Sequence, residues 1–272
     1  MSEKDIQDIG FFELGGLKLR ADAARDSRFS VVVSDAELHE YEGTSDIARR
    51  ELVHRHMSNE ITSLDIAAQC LFEYPDAPWD LRMELARQCW DEARHIAALQ
   101  RRLLEMGGHP GEFPIALFEW SITCGIESLI GRLASQNRTF EGGAMDVVGN
   151  LIQGLRAAGD EATAEMLDAI LADEIQHVRF ANRWIRKMVE MDRRSLLKVV
   201  MAISFVDAVN RMLVPAEGQT SAVGKVFESP AARVPLVNIE DRKLAEFSDD
   251  EINEILRQAG FRSLVPAEAS AP

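Results

Sequence analysis

Apolar residues recur at helical spacing in four long stretches of the chain, at residues 46–73, 79–106, about 141–157 and about 160–190. The first three stretches end at turns rich in proline or glycine. In all four, the predicted buried face carries acidic residues or histidines among the apolar ones. The predicted buried positions are 53, 57, 60, 61, 64, 68 and 71 in the first stretch and 85, 89, 92, 96, 99 and 103 in the second. They are 141, 144, 148, 151 and 155 in the third stretch and 167, 170, 174, 177, 178, 181, 185 and 188 in the fourth.

The rest of the chain adds shorter elements to this helical pattern. Residues 112–139 are predicted to form further helix and residues 193–214 a fifth long helix, whereas residues 215–245 resemble a loop. Ser248 and Glu251 form a capping box that starts a last short helix. Strand patterns are nearly absent, so the predicted fold class is all-α.

Three regions are predicted from this pattern. Residues 1–45 lack helical periodicity and form an N-terminal arm, in which FSVVV at 29–33 is either a short strand or an extended segment. Residues 46–190 form the helical bundle, and residues 191–272 form a C-terminal helical extension and tail.

One five-residue frame occurs twice in the predicted helices, as DEARH at 91–95 and as DEIQH at 173–177. Glu92 and His95 are three residues apart, as are Glu174 and His177, so each pair shares one helix face. Both pairs fall on the predicted buried face. A buried carboxylate beside a buried imidazole is costly unless it is compensated, and a metal ion would compensate it.

The helix before each frame supplies another glutamate on its buried face. Glu60 precedes Glu92 by 32 residues, and Glu141 precedes Glu174 by 33. At the usual helical rise, each of these glutamates lies roughly 20–24 Å from the turn of its predicted hairpin, so the members of a pair meet at one height. Two such hairpins packed together bring four carboxylates and two imidazoles to one point. The alternative is that these residues are salt-bridging acids in a plain helical bundle.

This set of residues resembles the ferritin-like diiron-carboxylate superfamily, in which two helices each supply a glutamate and two others each supply Glu-x-x-His. The stretches EYPDAPWDLRMELARQCWDEARH and LADEIQHVRFANRW are similar to a group of uncharacterised bacterial ferritin-like proteins. The resemblance covers about residues 46–190. It implies a four-helix bundle with a dinuclear metal site.

The resemblance also implies a role for each of the six residues. Glu92 and Glu174 would bridge the two ions. Glu60 and His95 would complete one coordination sphere, and Glu141 and His177 would complete the other.

The first residue of each frame has a predicted role as well. Asp91 and Asp173 are rotated by about 100° from the glutamates that follow them, so each turns toward the neighbouring frame. A metal-bound histidine has a second ring nitrogen, which normally needs a carboxylate or carbonyl partner. We therefore expect Asp91 to contact His177 and Asp173 to contact His95. The alternative is that both aspartates are exposed or pair with nearby arginines.

Two features beside the six residues have open interpretations. His56 lies one turn before Glu60 and is either a hydrogen-bond partner of the ligands or an ordinary core or surface histidine. Gly142 and Gly143 directly follow Glu141. They either open space for dioxygen or substrate, mark a bulge in the helix, or lie where a helix simply begins.

The ligand chemistry indicates the cofactor. Mixed carboxylate and imidazole ligands suit two iron ions, or a manganese–iron pair, with dioxygen as the co-substrate. Tyrosine occurs only at Tyr41 and Tyr74, which argues against the radical storage of related ribonucleotide reductase subunits. The sequence carries no flavin or nicotinamide fingerprint, so electrons would come from an external donor or from the substrate.

Two functions are compatible with these features. The first is an oxygen-dependent non-haem diiron oxidoreductase, an oxygenase or oxidase, acting on a small organic substrate. The second is a ferroxidase or iron-handling protein without an organic substrate. The residues outside 46–190 favour the first, because they could build a lid or pocket. A metal-bound interaction protein is a third, weaker option. The observation that would discriminate between these functions is whether an enclosed apolar pocket reaches the metals.

Composition narrows the expected partners and location. Forty-five acidic against thirty basic residues give a formal charge of −15, and the basic pairs are scattered along the chain, so we expect no basic face of the kind that nucleic acid needs. No signal peptide or membrane span is expected, because MSEKDIQDIG is acidic and charged residues interrupt the apolar stretch 195–214. Three well-separated cysteines indicate free thiols in a reducing cytoplasm. We expect a monomer or small homo-oligomer.

Overall fold

The structure is a computed structural model that describes residues 10–21, 25–34, 37–39, 41, 43–213 and 237–258. Helices make up most of this described part, so the prediction of a mainly helical fold is confirmed. The elements are β1 (Phe11–Leu14), β2 (Leu17–Arg20), α1 (Asp46–Glu73), α2 (Trp79–Glu105), α3 (Phe118–Thr123), α4 (Leu129–Leu133), a π-helical segment (Ala134–Glu141), α5 (Gly142–Ala157), α6 (Glu161–Met191), α7 (Ser195–Leu213), α8 (Ile239–Leu244) and α9 (Asp249–Gln258).

The long helices form two hairpins that meet. Helix α1 packs along α2, α5 packs along α6, and α2 contacts α6. The hydroxyl of Ser45 caps the start of α1, where it accepts the backbone N–H of Ala48 at 3.3 Å. At the other end of α1, the chain reverses through a turn that contains Pro75 and Pro78 before α2 begins.

Two apolar clusters fill the interior at different heights along the hairpins. The first includes Met57, Leu99, Met145 and Leu167, and the second includes Ile66, Leu85, Leu133 and Ala181. On α1 and α2, the candidate ligands fall between the residues of one cluster and those of the other, and on α6 only Val178 of the first cluster lies beyond them. The buried polar residues therefore form a layer with apolar packing on both sides.

The prediction of further helix over residues 112–139 is correct only in part, because 112–117 and 124–128 are not helical. Pro114 lacks a backbone N–H and favours an extended residue before it, and Ile115 exchanges backbone hydrogen bonds with Val31 and Val33. Helix begins only at α3 and is interrupted after it. The buried guanidinium of Arg132 stabilises this interruption, because it donates to the carbonyl oxygens of Ile126 at 2.9 Å and Cys124 at 3.2 Å.

The structure also adds elements outside the predicted helices. Strands β1 and β2 form an antiparallel hairpin within the predicted N-terminal arm. In the FSVVV segment, Val32 makes a single parallel bridge with Ile115, so the segment is extended without forming a regular strand. Helix α8 lies in the stretch that was predicted to be a loop.

The predicted capping box is present at the start of α9. The hydroxyl of Ser248 accepts the backbone N–H of Glu251 at 3.3 Å, and the Glu251 carboxylate accepts the backbone N–H of Ser248 at 2.8 Å. Among the helices of the described residues, none has the length and apolar character needed to cross a bilayer. The division into three regions remains a prediction.

Candidate metal centre

The two hairpins bring all six predicted ligand residues together in the buried polar layer. Glu60, Glu92, His95 and Glu174 each offer a ligand atom within 4.8 Å of the others. Glu92, Glu141, Glu174 and His177 form a second group by the same measure. We call these six residues the carboxylate–histidine cluster. Glu92 and Glu174 belong to both groups, which is the arrangement that two bridging ligands would need.

The first group is arranged around one ring nitrogen of His95. Its Nδ1 atom lies 3.1 Å from an oxygen of Glu60, 3.1 Å from one of Glu92 and 3.4 Å from one of Glu174. The other oxygen of Glu60 lies 2.9 Å from Nε2 of His56. Of the two open interpretations of His56, the structure therefore supports a direct contact with a candidate ligand.

The second group contains Glu141, which two buried amides hold in place. Gln88 donates from Nε2 to one Glu141 oxygen at 2.7 Å, and Asn137 donates from Nδ2 to the other at 2.9 Å. Asn137 also donates to the side-chain oxygen of Gln88 at 3.1 Å. In the same group, Nδ1 of His177 lies 3.5 Å from oxygens of Glu92 and Glu174. The sequence reasoning did not identify Gln88 or Asn137.

A sequence signal for Gln88 did exist. It lies one helical turn before Glu92 and on the same face, so a polar residue there is directed at the cluster. Asn137 gave the same signal, because it also lies four residues before a ligand, Glu141, and both belong to the π-helical segment. That segment ends at Glu141 and continues directly into α5, so a bulge adjoins Gly142 and Gly143.

The two aspartates reach across between the hairpins. Oδ2 of Asp173 lies 3.2 Å from Nε2 of His95, and Oδ2 of Asp91 lies 3.4 Å from Nε2 of His177. Each histidine thus turns Nδ1 toward the carboxylates of the cluster and Nε2 toward an aspartate. Arg94 donates to both aspartates as well, at 2.9 Å to Asp173. The histidine contact and the arginine pairing therefore occur together.

Crowding of like charges changes the acidity of the cluster. Burial and the neighbouring carboxylates of Glu174 and Glu60 raise the pKa of Glu92 well above its ordinary value. Burial raises the pKa of Glu141 to about 8. Burial opposes ionisation of His177, but the Glu174 carboxylate and the contact with Asp91 raise its pKa well above the ordinary value overall. Some groups of the cluster therefore keep protons that divalent cations would replace.

A cavity of about 380 Å³ reaches the cluster from one side. Glu60, Glu141 and Glu174 all line it. Most of the remaining wall is apolar and comes from the connection before α3, the π-helical segment, α1, α5 and α6. Gly143 also lines the cavity, and a Cβ atom added there would meet nothing within 4 Å. A small molecule inside the cavity would therefore touch the candidate ligands directly.

Two unpaired atoms in the cluster test whether metal ions fit. Oε1 of Glu174 and Nδ1 of His177 are buried, and no hydrogen-bond partner for either exists in the described part of the chain. Buried polar atoms are normally paired, so each such atom needs an explanation. Both are good metal donors that face the centre of the cluster, and their residues fit a metal-binding role.

Fold and site together define a mostly helical protein with a buried group of glutamates and histidines that could hold metal ions. The chain belongs to the DUF455 family, described as a protein of unknown function, whose model matches residues 16–253. The match includes every residue of the carboxylate–histidine cluster and most of the cavity-bearing helices. No curated protein matched the chain, and no solved structure did.

Proposed function

We propose that this protein is an oxygen-dependent, non-haem diiron oxidoreductase that acts on a small organic molecule. The observation that carries the proposal is that Glu60, Glu141 and Glu174 line the cavity. Concave, mainly apolar clefts and cavities of a few hundred Å³ with a few convergent polar groups are the usual sites of small-molecule ligands. An iron site that only oxidises iron would not need such a cavity.

The architecture we propose for it is a ferritin-like four-helix bundle. Its four members would be α1, α2, α6 and the π-helical segment joined to α5. Support comes from the contact between the two hairpins and from the polar layer between two apolar clusters.

Within this bundle we assign six ligands. Glu92 and Glu174 would bridge two ions, because each belongs to both groups of candidate ligands. Glu60 and His95 would complete one site, and Glu141 and His177 the other. Iron, or a manganese–iron pair, is preferred because both metals accept mixed carboxylate and imidazole ligands. Bound ions would supply the capacity to bind and reduce dioxygen, for which protein side chains have no equivalent.

The chain's own residues position the ligands and shape the surroundings. Asp91 and Asp173 fix the ring orientation of the two histidines through Nε2, which leaves Nδ1 free for an ion. Gln88 and Asn137 hold Glu141 while leaving lone pairs on both of its oxygens. The apolar wall excludes water and holds the substrate beside the ligands. We place the electron donor outside the chain.

The test is a stopped-flow reaction of the anaerobically Fe(II)-loaded protein with dissolved oxygen, with and without candidate substrates. The proposal predicts an oxygen-dependent absorbance change that is lost in Glu141→Ala and retained in Glu165→Ala, an exposed glutamate on α6. Absence of any reaction with oxygen would contradict it. Continued consumption of added Fe(II), with accumulation of ferric product, would instead favour the ferroxidase alternative.

We further propose a cytoplasmic location and a monomer or small homo-oligomer. The location rests on the thiols, since Cys70, Cys89 and Cys124 are all unpaired. The assembly rests on the acidic surface charge and on the helices that the chain carries beyond the two hairpins. Light scattering that detects a hollow particle of many subunits would contradict the assembly.

A further inference from the structure

The cavity wall combines a large apolar part with very few unpaired polar atoms. Its apolar lining includes Ile115, Phe118, Phe140, Val148 and Ile170, which would contact the body of any ligand. The polar residues Arg55, Asn59, Glu119 and Asn210 also line it. Asn59 and Asn210 are exposed, whereas the three glutamates at the cluster are buried. The cavity thus runs from a polar mouth through an apolar body to the cluster.

In the inner wall, the side-chain amide of Gln136 makes a hydrogen bond through its nitrogen but none through its oxygen to any residue that the structure describes. Gln136 is only 2% exposed, and its Nε2 donates to the hydroxyl of Ser63 at 2.9 Å. Its Oε1 is buried and has no partner among the described residues. The hydroxyl oxygen of Ser58, in the same wall, is likewise buried and unpaired within that part of the chain. Leaving such acceptors unpaired is costly, so each is suited to a ligand's donor group.

The position of Gln136 places this acceptor beside the cluster. Its partner Ser63 lies three residues after Glu60 on α1, so the two share a helix face. Gln136 itself belongs to the π-helical segment and lies about one turn before Glu141. The amide therefore lies in the wall between two candidate ligands.

We infer that Gln136 selects the ligand of the cavity, and that this ligand is an organic molecule with an apolar body and one O–H or N–H donor. The donor binds Oε1 of Gln136, and the apolar body packs against the aromatic and aliphatic wall. This inference deepens the proposed function and rests on it, since the bound molecule would be its substrate. It makes Gln136 a specificity-determining residue.

Three small aromatic probes of similar size test the inference on the full-length chain. The first is 4-ethylphenol, which can donate and accept a hydrogen bond. The second is its isomer 4-methylanisole, which can only accept one. The third is 4-ethyltoluene, which can neither donate nor accept one. Calorimetry on the metal-free and Zn(II)-loaded chain should give a dissociation constant for 4-ethylphenol roughly 10-fold lower than for the other two. Because zinc is redox-inert, the readout is independent of any reaction with oxygen.

Substitutions then assign this preference to Gln136. Gln136→Met keeps the volume but removes the acceptor, so it should abolish the preference while 4-ethyltoluene still binds. Gln153→Met, at an exposed position of α5, is the matched control and should leave the preference intact. Ala144→Leu narrows the cavity and should weaken the binding of all three probes. Such a loss would show that the probes bind in the cavity.

The outcomes separate this inference from the proposed function. Equal binding of the three probes, tighter binding of 4-methylanisole, or a preference that survives Gln136→Met would overturn the role of Gln136. If Gln136→Met does not fold, Gln136→Leu, which also lacks the acceptor, takes its place and is read in the same way. Failure of the Fe(II) protein to react with oxygen would overturn the proposed function, yet it would leave the probe ranking unchanged.

Discussion

Nε2 of His95 lies 3.2 Å from Oδ2 of Asp173, although the two residues are 78 positions apart and belong to different hairpins. Nδ1 of the same ring faces the carboxylates of Glu60 and Glu92 at 3.1 Å. The aspartate therefore determines which ring nitrogen is available to an ion. An equivalent contact joins Asp91 to His177. Each of these aspartate–histidine contacts joins residues of two different helices, so the candidate metal centre depends on the packing of one hairpin against the other.

Replacing Asp173 tests this arrangement. Asp173→Asn keeps the shape of the side chain but removes its charge, so the His95 ring loses its ionic acceptor. We expect the affinity for Fe(II) to fall roughly 10- to 100-fold, while the circular dichroism spectrum stays unchanged. Competition with a chelator under anaerobic conditions measures the change. Asp168→Asn, an exposed aspartate on the same helix, should behave as the unmodified chain. Equal affinities in both variants would refute the positioning role.

The assignment of the bridging residues makes a sharper prediction about stoichiometry. Glu92 and Glu174 each belong to both groups of candidate ligands. Glu92→Ala and Glu174→Ala should therefore each lose both ions, whereas the loss of a terminal ligand should weaken one ion more than the other. Metal analysis after gel filtration measures the retained ions. One tightly held ion in Glu92→Ala would show that this residue does not bridge.

Gln88 provides a prediction that differs between the two ions. Its shorter hydrogen bond, at 2.7 Å, is to Glu141, which belongs only to the group that contains His177, and its longer one, at 3.4 Å, is to Glu92, which belongs to both groups. Gln88→Met should weaken one binding step by about 10-fold and the other by much less. A two-step titration with Co(II) resolves the steps, with Gln100→Met on the same helix as the control. An equal loss at both steps would mean that Gln88 acts on the whole cluster.

His54 lies outside the cluster and gives a prediction about pH. Burial lowers its pKa to about 4, and the ring accepts the backbone N–H of Gly111 at 2.9 Å. Between pH 6.5 and 4 the unfolded chain would hold a proton on this ring while the folded chain would not. Its contribution to the free energy of unfolding is therefore present above pH 6.5 and is lost as the pH falls, by at most about 1.4 kcal/mol per pH unit.

Urea unfolding between pH 7 and pH 4 checks this effect. The free energy of unfolding should fall more steeply with decreasing pH in the unmodified chain than in His54→Gln, whose side chain does not titrate in this range. His39→Gln replaces an exposed histidine and should retain the steep slope. If His54→Gln shows the same slope as the unmodified chain, His54 is not the source of the acid sensitivity.

The long helices and the cluster could be predicted from the sequence because both depend on local spacing. Apolar periodicity gave the bounds of α1 and α2 to within one residue, since prolines and glycines mark their ends. Glu92 and His95 share a face through helical geometry alone. The two hairpins have legs of similar length, so their glutamates meet without knowledge of the tertiary contacts.

Other features depend on contacts that spacing does not reveal. The interruption after α3 is stabilised by Arg132, whose hydrogen bonds to carbonyl oxygens arise only in the folded chain. The missed β-hairpin is a different case: Gly15 and Gly16 between FFEL and LKLR are a hairpin signal, and both glycines adopt positive φ.

We expect the carboxylate–histidine cluster to hold two metal ions in each chain. Anaerobic titration of the purified chain with Fe(II), followed by desalting and analysis of iron against protein, tests it most directly. Four carboxylates balance the charge of two divalent ions, so we expect two equivalents of iron per chain, lost on Glu174→Ala and kept on Glu165→Ala. One equivalent or fewer after full loading would contradict it.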